Sequence, residues 1–423
     1  MHRAGERLNT RWEKLQQFLF LLLVMSLPWP IRITSALTIL FVLSCLIPMR
    51  KLPSLDLHAI RIAGLCAVYF LLHVLFWGMG EGFSLNHWPE VEKKLALLIF
   101  PVLLLNSNRN NLLQQPGIFI GYVLSVATAC LFCLGFAIKQ YGFDLSVDGW
   151  FYHAFCKPIQ QHAVYFSFQI LIAIILLEKL LKHKIPVIWQ VQLFALFGFT
   201  LLLLSSKLML AAMFVCIALW GWKAFRESAT HKAIYPVMVM LMLLLLAFGG
   251  SQIRSRFNDI QLNRLVTLDQ RVFVPTTYFD GLSLRMLQLK FAVEILRNEQ
   301  AWLFGVGPFK SQEMLDQAYR NAQMYIGQDG KGGYLGLNFH NQYAETLVRF
   351  GLMGLMVLLF LMGYLLIQAF RSGNEPFTWV WLLLMIFFFT ESVIETHRGL
   401  MAMLVLPLLL FTLKFNEQPK YEM

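Results

Sequence analysis

The sequence predicts an all-α polytopic membrane protein with about twelve transmembrane helices and one large, partly helical periplasmic loop. Three observations predict it. Apolar residues make up 58% of the chain against 14% charged residues, and the mean hydropathy is +0.60, which leaves too little polar surface to enclose a soluble core. The apolar residues come in blocks long enough for a helix rising about 1.5 Å per residue to cross about 30 Å of hydrocarbon. Those blocks stop once, across residues 250–342, for roughly ninety residues, far beyond an ordinary connection.

Taken in order, the blocks divide the chain into three parts. An N-terminal bundle, 1–249, holds about nine spans at 17–27, 31–47, 58–78, 95–105, 116–138, 162–177, 187–204, 208–222 and 233–249. The loop domain, 250–342, follows. A C-terminal bundle, 343–423, adds about three spans at 343–370, 377–394 and 399–413. The first and fourth blocks are shorter than a full crossing and must tilt or recruit flanking residues.

Basic residues are retained on the cytoplasmic side, and here they mark alternate connections. Arg3, Arg7, Arg11 and Lys14 precede the first span, and Arg50 and Lys51 follow the second. Lys179, Lys182 and Lys184 follow the sixth, and Lys223, Arg226 and Lys232 the eighth. Both termini are therefore expected in the cytoplasm and the long loop outside it. No small-residue cleavage site follows the first apolar stretch, which is read as a retained span. The same bias accounts for much of the +11 net charge, so nucleic acid is not an expected partner. Five of the six cysteines fall inside predicted spans, and Cys130 and Cys133 have no histidine neighbours, so neither a disulfide framework nor a zinc site is expected.

The loop has its own pattern. Residues 283–298 put Leu284, Leu287, Phe291 and Ile295 on one helical stripe, with Arg285, Lys290 and Arg297 away from its centre. The sequence LFGVGPF at 303–309 predicts a turn before a second helical segment at 311–325. Residues 327–336 are glycine-rich and match no phosphate-binding pattern, so they read as a flexible connection.

The loop ends in FHNQYAETLVRFGLMGL, where the chain returns to the membrane. Two readings of this stretch stand. Asn341 caps the following helix and His340 is an interfacial bystander, or His340 meets substrate as a general base or an orienting hydrogen-bond group. Ionisable residues at membrane depth are the second clue, since each costs roughly 2.5–3.5 kcal/mol on insertion scales unless paired or wet. Lys207, in a tight break between the seventh and eighth spans, either snorkels to head groups or binds an anion. Glu391, Glu395, His397 and Arg398 form another such cluster, read as an internally satisfied ion-pair network.

These residues resemble the O-antigen ligase family, whose membrane domain is shared with O-antigen polymerases. The family pattern is His, then Asn, Ser or Gln, nine residues, Gly, two residues, and Gly, Thr or Tyr; His340, Asn341, Gly351 and Gly354 satisfy it at the family's position. Lys207 and Arg285 occupy the places of two basic family sites, with lysine where arginine is usual and hence a point charge in place of a planar fork. Gly305 and Gly307 match a glycine turn, and the segment around His162 a span opening.

The resemblance implies a GT-C-like fold in the bacterial inner membrane and an enzyme of lipopolysaccharide biosynthesis. Such an enzyme moves a preassembled glycan from undecaprenyl diphosphate to a lipid A-core hydroxyl, inverting the anomeric centre, with no metal or other cofactor. Its partners are the lipid-linked donor, the lipid A-core acceptor and membrane lipids. His340 would serve the acceptor hydroxyl, and Arg285 with Lys207 the diphosphate; Asn341 and Glu345 would orient, and Arg256 would add to the donor site. An O-antigen polymerase is the nearest alternative. Residues 139–161 carry two lysines and no arginine, where polymerases often have a second basic loop, which favours ligase. A transporter or flippase should show paired repeats or broken midplane helices, and no repeat is evident.

Overall fold

The computed structural model describes residues 2–47, 53–106, 116–226, 269–328 and 331–413. The predicted ninth span and Arg256 lie outside the described residues. Among the described residues the fold is helical, apart from an antiparallel ladder of two-residue strands, β1 (Gly327–Gln328) and β2 (Lys331–Gly332), within the stretch the sequence reads as a flexible connection.

Contacts divide the chain into two units, one of Met1–Leu52, Asn108–Asn258 and Glu375–Val380, the other of Pro53–Ser107, Asp259–Asn374 and Trp381–Met423. In the first, α1 (His2–Ser26) packs on α2 (Ile31–Leu46) and on α6 (Pro116–Tyr141); α3 (Leu57–Glu81), α4 (Trp88–Lys94) and α5 (Ala96–Leu104), which intervene in the chain, belong to the second unit. The short helix α7 (Tyr152–Cys156) leads into α8 (Ala163–Lys179), which packs against α6, α9 (Val187–Leu204) and α10 (Lys207–Arg226). Because α8 is apolar all round, it is buried without interruption from Ala163 to Glu178 and forms the hub of this unit.

In the second unit α3 (Leu57–Glu81) packs on α5 (Ala96–Leu104), reached through α4 (Trp88–Lys94). Two loop helices, α11 (Gly281–Asn298) and α12 (Lys310–Asn321), lie against α13 (Gln342–Ser372). The stripe read from the sequence is the buried face of α11: Leu287, Phe291 and Ile295 join Phe273, Tyr319 and Phe339 in one core. The second loop helix ends four residues before its predicted end, since Gln323 takes the left-handed region (φ 53°) and reverses the chain. The chain then closes with α14 (Glu375–Phe387) and α15 (His397–Thr412), the latter packed on α5.

Among the described residues, four helices are long and apolar enough to cross a membrane: Leu57–Met79, Pro116–Tyr141, Val187–Leu204 and Gln342–Ser372. Tyr152–Ile159 with Ala163–Lys179, bent by 75°, makes a fifth if counted as one span. The expected count of about twelve is not reached by that test. Several blocks form helices too short for it: 16 residues in α2, 9 in α5, 13 in α14 and 16 in α15.

One break positions everything that follows. Within α13, Gly351 has φ 64° and ψ −163°, so the helix is interrupted there. An unbroken helix would pair the N–H groups of Leu352 and Met353 with the carbonyls of Val348 and Arg349. Residues 302–307 replace both sides of that pairing. Val306 and Gly307 donate to Val348 O and Arg349 O at 2.8 and 3.0 Å, while Leu352 and Met353 donate to Trp302 O and Leu303 O at 2.8 and 3.3 Å. The loop thus satisfies the four backbone groups released by the kink, which apolar surroundings would otherwise penalise. The approach requires glycine on both sides: a Cβ on Gly351 would lie 2.3 Å from the Leu303 carbonyl, and one on Gly305 2.5 Å from the Arg349 carbonyl carbon. Gly305 in LFGVGPF and Gly351 in α13 therefore belong to one structural device.

Candidate active site

The second unit assembles a cluster around His340. Asn341 is the N-cap of α13, its side chain accepting from Ala344 N at 3.0 Å and donating to Phe389 O at 3.2 Å. Gln342 N donates to Phe388 O at 2.8 Å, and the Gln342 side chain accepts from Ile394 N at 2.7 Å. These contacts join the start of α13 to the 388–395 turn. The preceding His340 is held at φ 45°, a left-handed conformation costing a non-glycine residue roughly 1–2 kcal/mol, with Asn338 Oδ1 accepting from its backbone N–H at 3.0 Å. The capping reading of Asn341 is thus borne out, and His340 directly precedes that cap.

The residue facing His340 is Glu391. Its Oε2 lies 3.5 Å from His340 Nδ1, which makes no hydrogen bond among the described residues, and its Oε1 lies 3.3 Å from Arg285 NH2. Glu391 is buried while His340 and Arg285 are partly exposed, so the carboxylate backs two groups that reach outward. Arg285 sits in the first turns of α11, whose N-terminus is capped by the Asp280 carboxylate accepting from Leu282 and Ser283 N–H. The guanidinium also donates to Thr390 O at 3.1 Å and Gly281 O at 2.8 Å. Three of its five N–H donors are thereby engaged, which leaves two for an anionic ligand.

Beneath lies a second, buried layer. Glu345 accepts from Arg349 Nε at 2.7 Å, Phe339 N at 3.2 Å and Ser392 Oγ at 3.0 Å. Arg349 continues to Glu395 Oε2 at 2.5 Å, which also receives Lys94 Nζ at 2.8 Å. Two cations and two carboxylates balance. Burial alone would raise the Glu395 carboxyl, but Arg349 and Lys94 hold it well below the ordinary carboxylate range. Its contribution to stability is complete at and above the ordinary carboxylate pKa and is lost only as pH falls through the lowered folded value. Replacing Lys94 by Met removes one partner from a buried set and should destabilise the protein by about 3–5 kcal/mol. Thermal unfolding in detergent would expose the error if the midpoint were unchanged.

The structure brings together His340, Arg285, Asn341 and Glu345 among the residues the sequence nominates. Lys207 belongs to the first unit, where Ser205 (φ 50°) ends α9 and Ser206 O accepts from Leu210 N to start α10. Glu391, Lys94 and Arg349 were not assigned to a site by sequence. Within the four-residue cluster, Glu391 lies against His340 and Arg285, and Glu395 against Lys94 and Arg349.

As chemistry, a carboxylate beside Nδ1 favours the tautomer with its proton there, leaving Nε2 basic; a half-engaged arginine nearby is suited to phosphate oxygen. Among known proteins, the family model described as O-antigen ligase matches residues 192–359, a stretch that holds Lys207, Arg285, His340 and the Gly351 break and stops short of Glu391. No curated protein matches the chain.

Proposed function

We propose that this chain, a member of the O-antigen ligase family, transfers a preassembled glycan from undecaprenyl diphosphate to a sugar hydroxyl of lipid A-core. The observation that carries the reading is the pairing of a carboxylate-backed histidine with an arginine that keeps free donors, at the return of a long loop to an apolar helix. In the proposed step His340 Nε2 takes the proton of the acceptor hydroxyl as its oxygen attacks the anomeric carbon. The bond from that carbon to the diphosphate oxygen breaks, and the charge left on undecaprenyl diphosphate is met by Arg285. A single displacement inverts the anomeric centre. No metal is assigned a role.

Lys207 and Arg256 are proposed as further cations for the diphosphate, and Asn341 and Glu345 as groups that set the histidine's position. The termini are assigned to the cytoplasm and the His340 cluster to the periplasmic face of the inner membrane, where both lipid-anchored substrates present their head groups. The division into bundles 1–249 and 343–423 around a loop domain is retained as a description of membrane topology.

The test is reconstitution of the purified protein in vesicles with a defined lipid-linked donor and two acceptors, lipid A-core and a second donor molecule. Transfer to lipid A-core is expected. Transfer only to the second donor would make the protein a polymerase and overturn the ligase reading. Arg285→Ala should raise the KM for donor about tenfold or more, the loss expected for hydrogen bonds to a charged group. An unchanged donor KM would remove Arg285 from the diphosphate site.

A further inference from the structure

A groove of about 430 Å³ opens between α11 and α12, within the size range of small-molecule sites. Its floor is apolar and fixed. Phe291 and Ile295 belong to the loop's core, and Phe291 meets Tyr319 edge-on with ring centres 5.8 Å apart. Its rim consists of planar polar groups. Gln317 donates to Asn321 Oδ1 at 2.7 Å, which orients both amides while leaving each further capacity. The side chains of Arg271, Asn298 and Glu299 engage no hydrogen-bond or ion-pair partner among the described residues. A backbone bond from Phe273 N to Ala322 O, 2.8 Å, clips the segment that carries Arg271 onto the end of α12.

An apolar floor ringed by amides, carboxylates and one guanidinium is the complement of a pyranose, which shows a C–H face and a ring of hydroxyls. Phosphate suits it poorly, since two carboxylates, Glu294 and Glu299, line the groove with the one guanidinium of Arg271. The groove lies toward the C-terminal end of α11, six to fourteen residues beyond Arg285 and so about 9–21 Å from it along the helix axis. We infer that this groove is a subsite for the distal sugars of the donor glycan, whose diphosphate end is held at Arg285. The inference rests on the proposed transfer reaction for the identity of the glycan.

The full-length protein in detergent would be titrated with glycan released by mild acid from the host's polyprenyl diphosphate pool, and separately with delipidated core oligosaccharide. The donor glycan should bind, and the rim double variant Asn298→Ala with Gln317→Ala should weaken it about tenfold, as expected for two lost neutral hydrogen bonds. The core oligosaccharide should not compete. Absence of binding, equal binding by the double variant, or tighter binding of the core would each overturn the assignment. Circular dichroism and thermal unfolding of the double variant establish that it is folded. Repeating the titration on His340→Ala separates the two claims: binding is expected to persist there, whether or not transfer is lost.

Discussion

His340→Ala is expected to lower transfer in reconstituted vesicles by about 10²–10⁴-fold, the range that a positioned general base contributes. The protein should remain folded, because the His340 side chain makes no hydrogen bond through Nδ1 and the cap at Asn341 is independent of it. Glu391→Gln should also be severe while leaving both substrate KM values near wild type. An amide beside Nδ1 offers its own N–H, which stabilises the opposite tautomer and places the proton on Nε2, where the acceptor needs a base. A gel of lipopolysaccharide from a host lacking its own ligase provides a second readout. Full-length O-chain attached by His340→Ala at the wild-type level would remove the histidine from the chemistry.

Gly351→Ala is expected to abolish the folded protein in detergent or lower its unfolding midpoint steeply. The φ and ψ at Gly351, 64° and −163°, fall in a region that is essentially reserved for glycine. A Cβ there would also lie 2.3 Å from both the carbon and the oxygen of the Leu303 carbonyl, which is backbone and cannot rotate away. Relieving the overlap means separating residues 302–307 from α13 and losing four backbone hydrogen bonds, each worth about 0.5–1.5 kcal/mol net and more where water is excluded. Size-exclusion chromatography and thermal unfolding measure the outcome. A monodisperse Gly351→Ala protein with the wild-type midpoint would mean that the loop does not hold the break.

The elements and residues differ in how far the sequence makes them legible. α9 runs over Val187–Leu204, the range its apolar block predicts, because a continuous apolar run bounded by Pro186 and Ser205 has defined ends. Arg285, His340 and Asn341 are nominated through the resemblance to the O-antigen ligase family, His340 and Asn341 by the pattern that Gly351 and Gly354 complete. Glu391 and Lys94 are not. Lys94 meets Glu395 across 301 positions and Arg285 meets Glu391 across 106, and no local pattern encodes which of several nearby carboxylates a cation will find. Not every apolar block forms a helix long enough to count as a span by itself among the described residues: α5 carries Pro101 and extends over nine residues, most of them buried. The backbone exchange at Gly351 has no local signature, since periodicity shows where a helix is apolar and not where another segment is inserted into it.

The anomeric configuration of the bond formed in the reconstituted reaction tests the central claim most directly, because one displacement by a hydroxyl activated at His340 has a single stereochemical outcome. NMR of the product should show the configuration opposite to that of the glycosyl diphosphate donor. Retention would require two displacements through a covalent glycosyl–enzyme intermediate, and would contradict the assignment of His340 as the base acting on the acceptor.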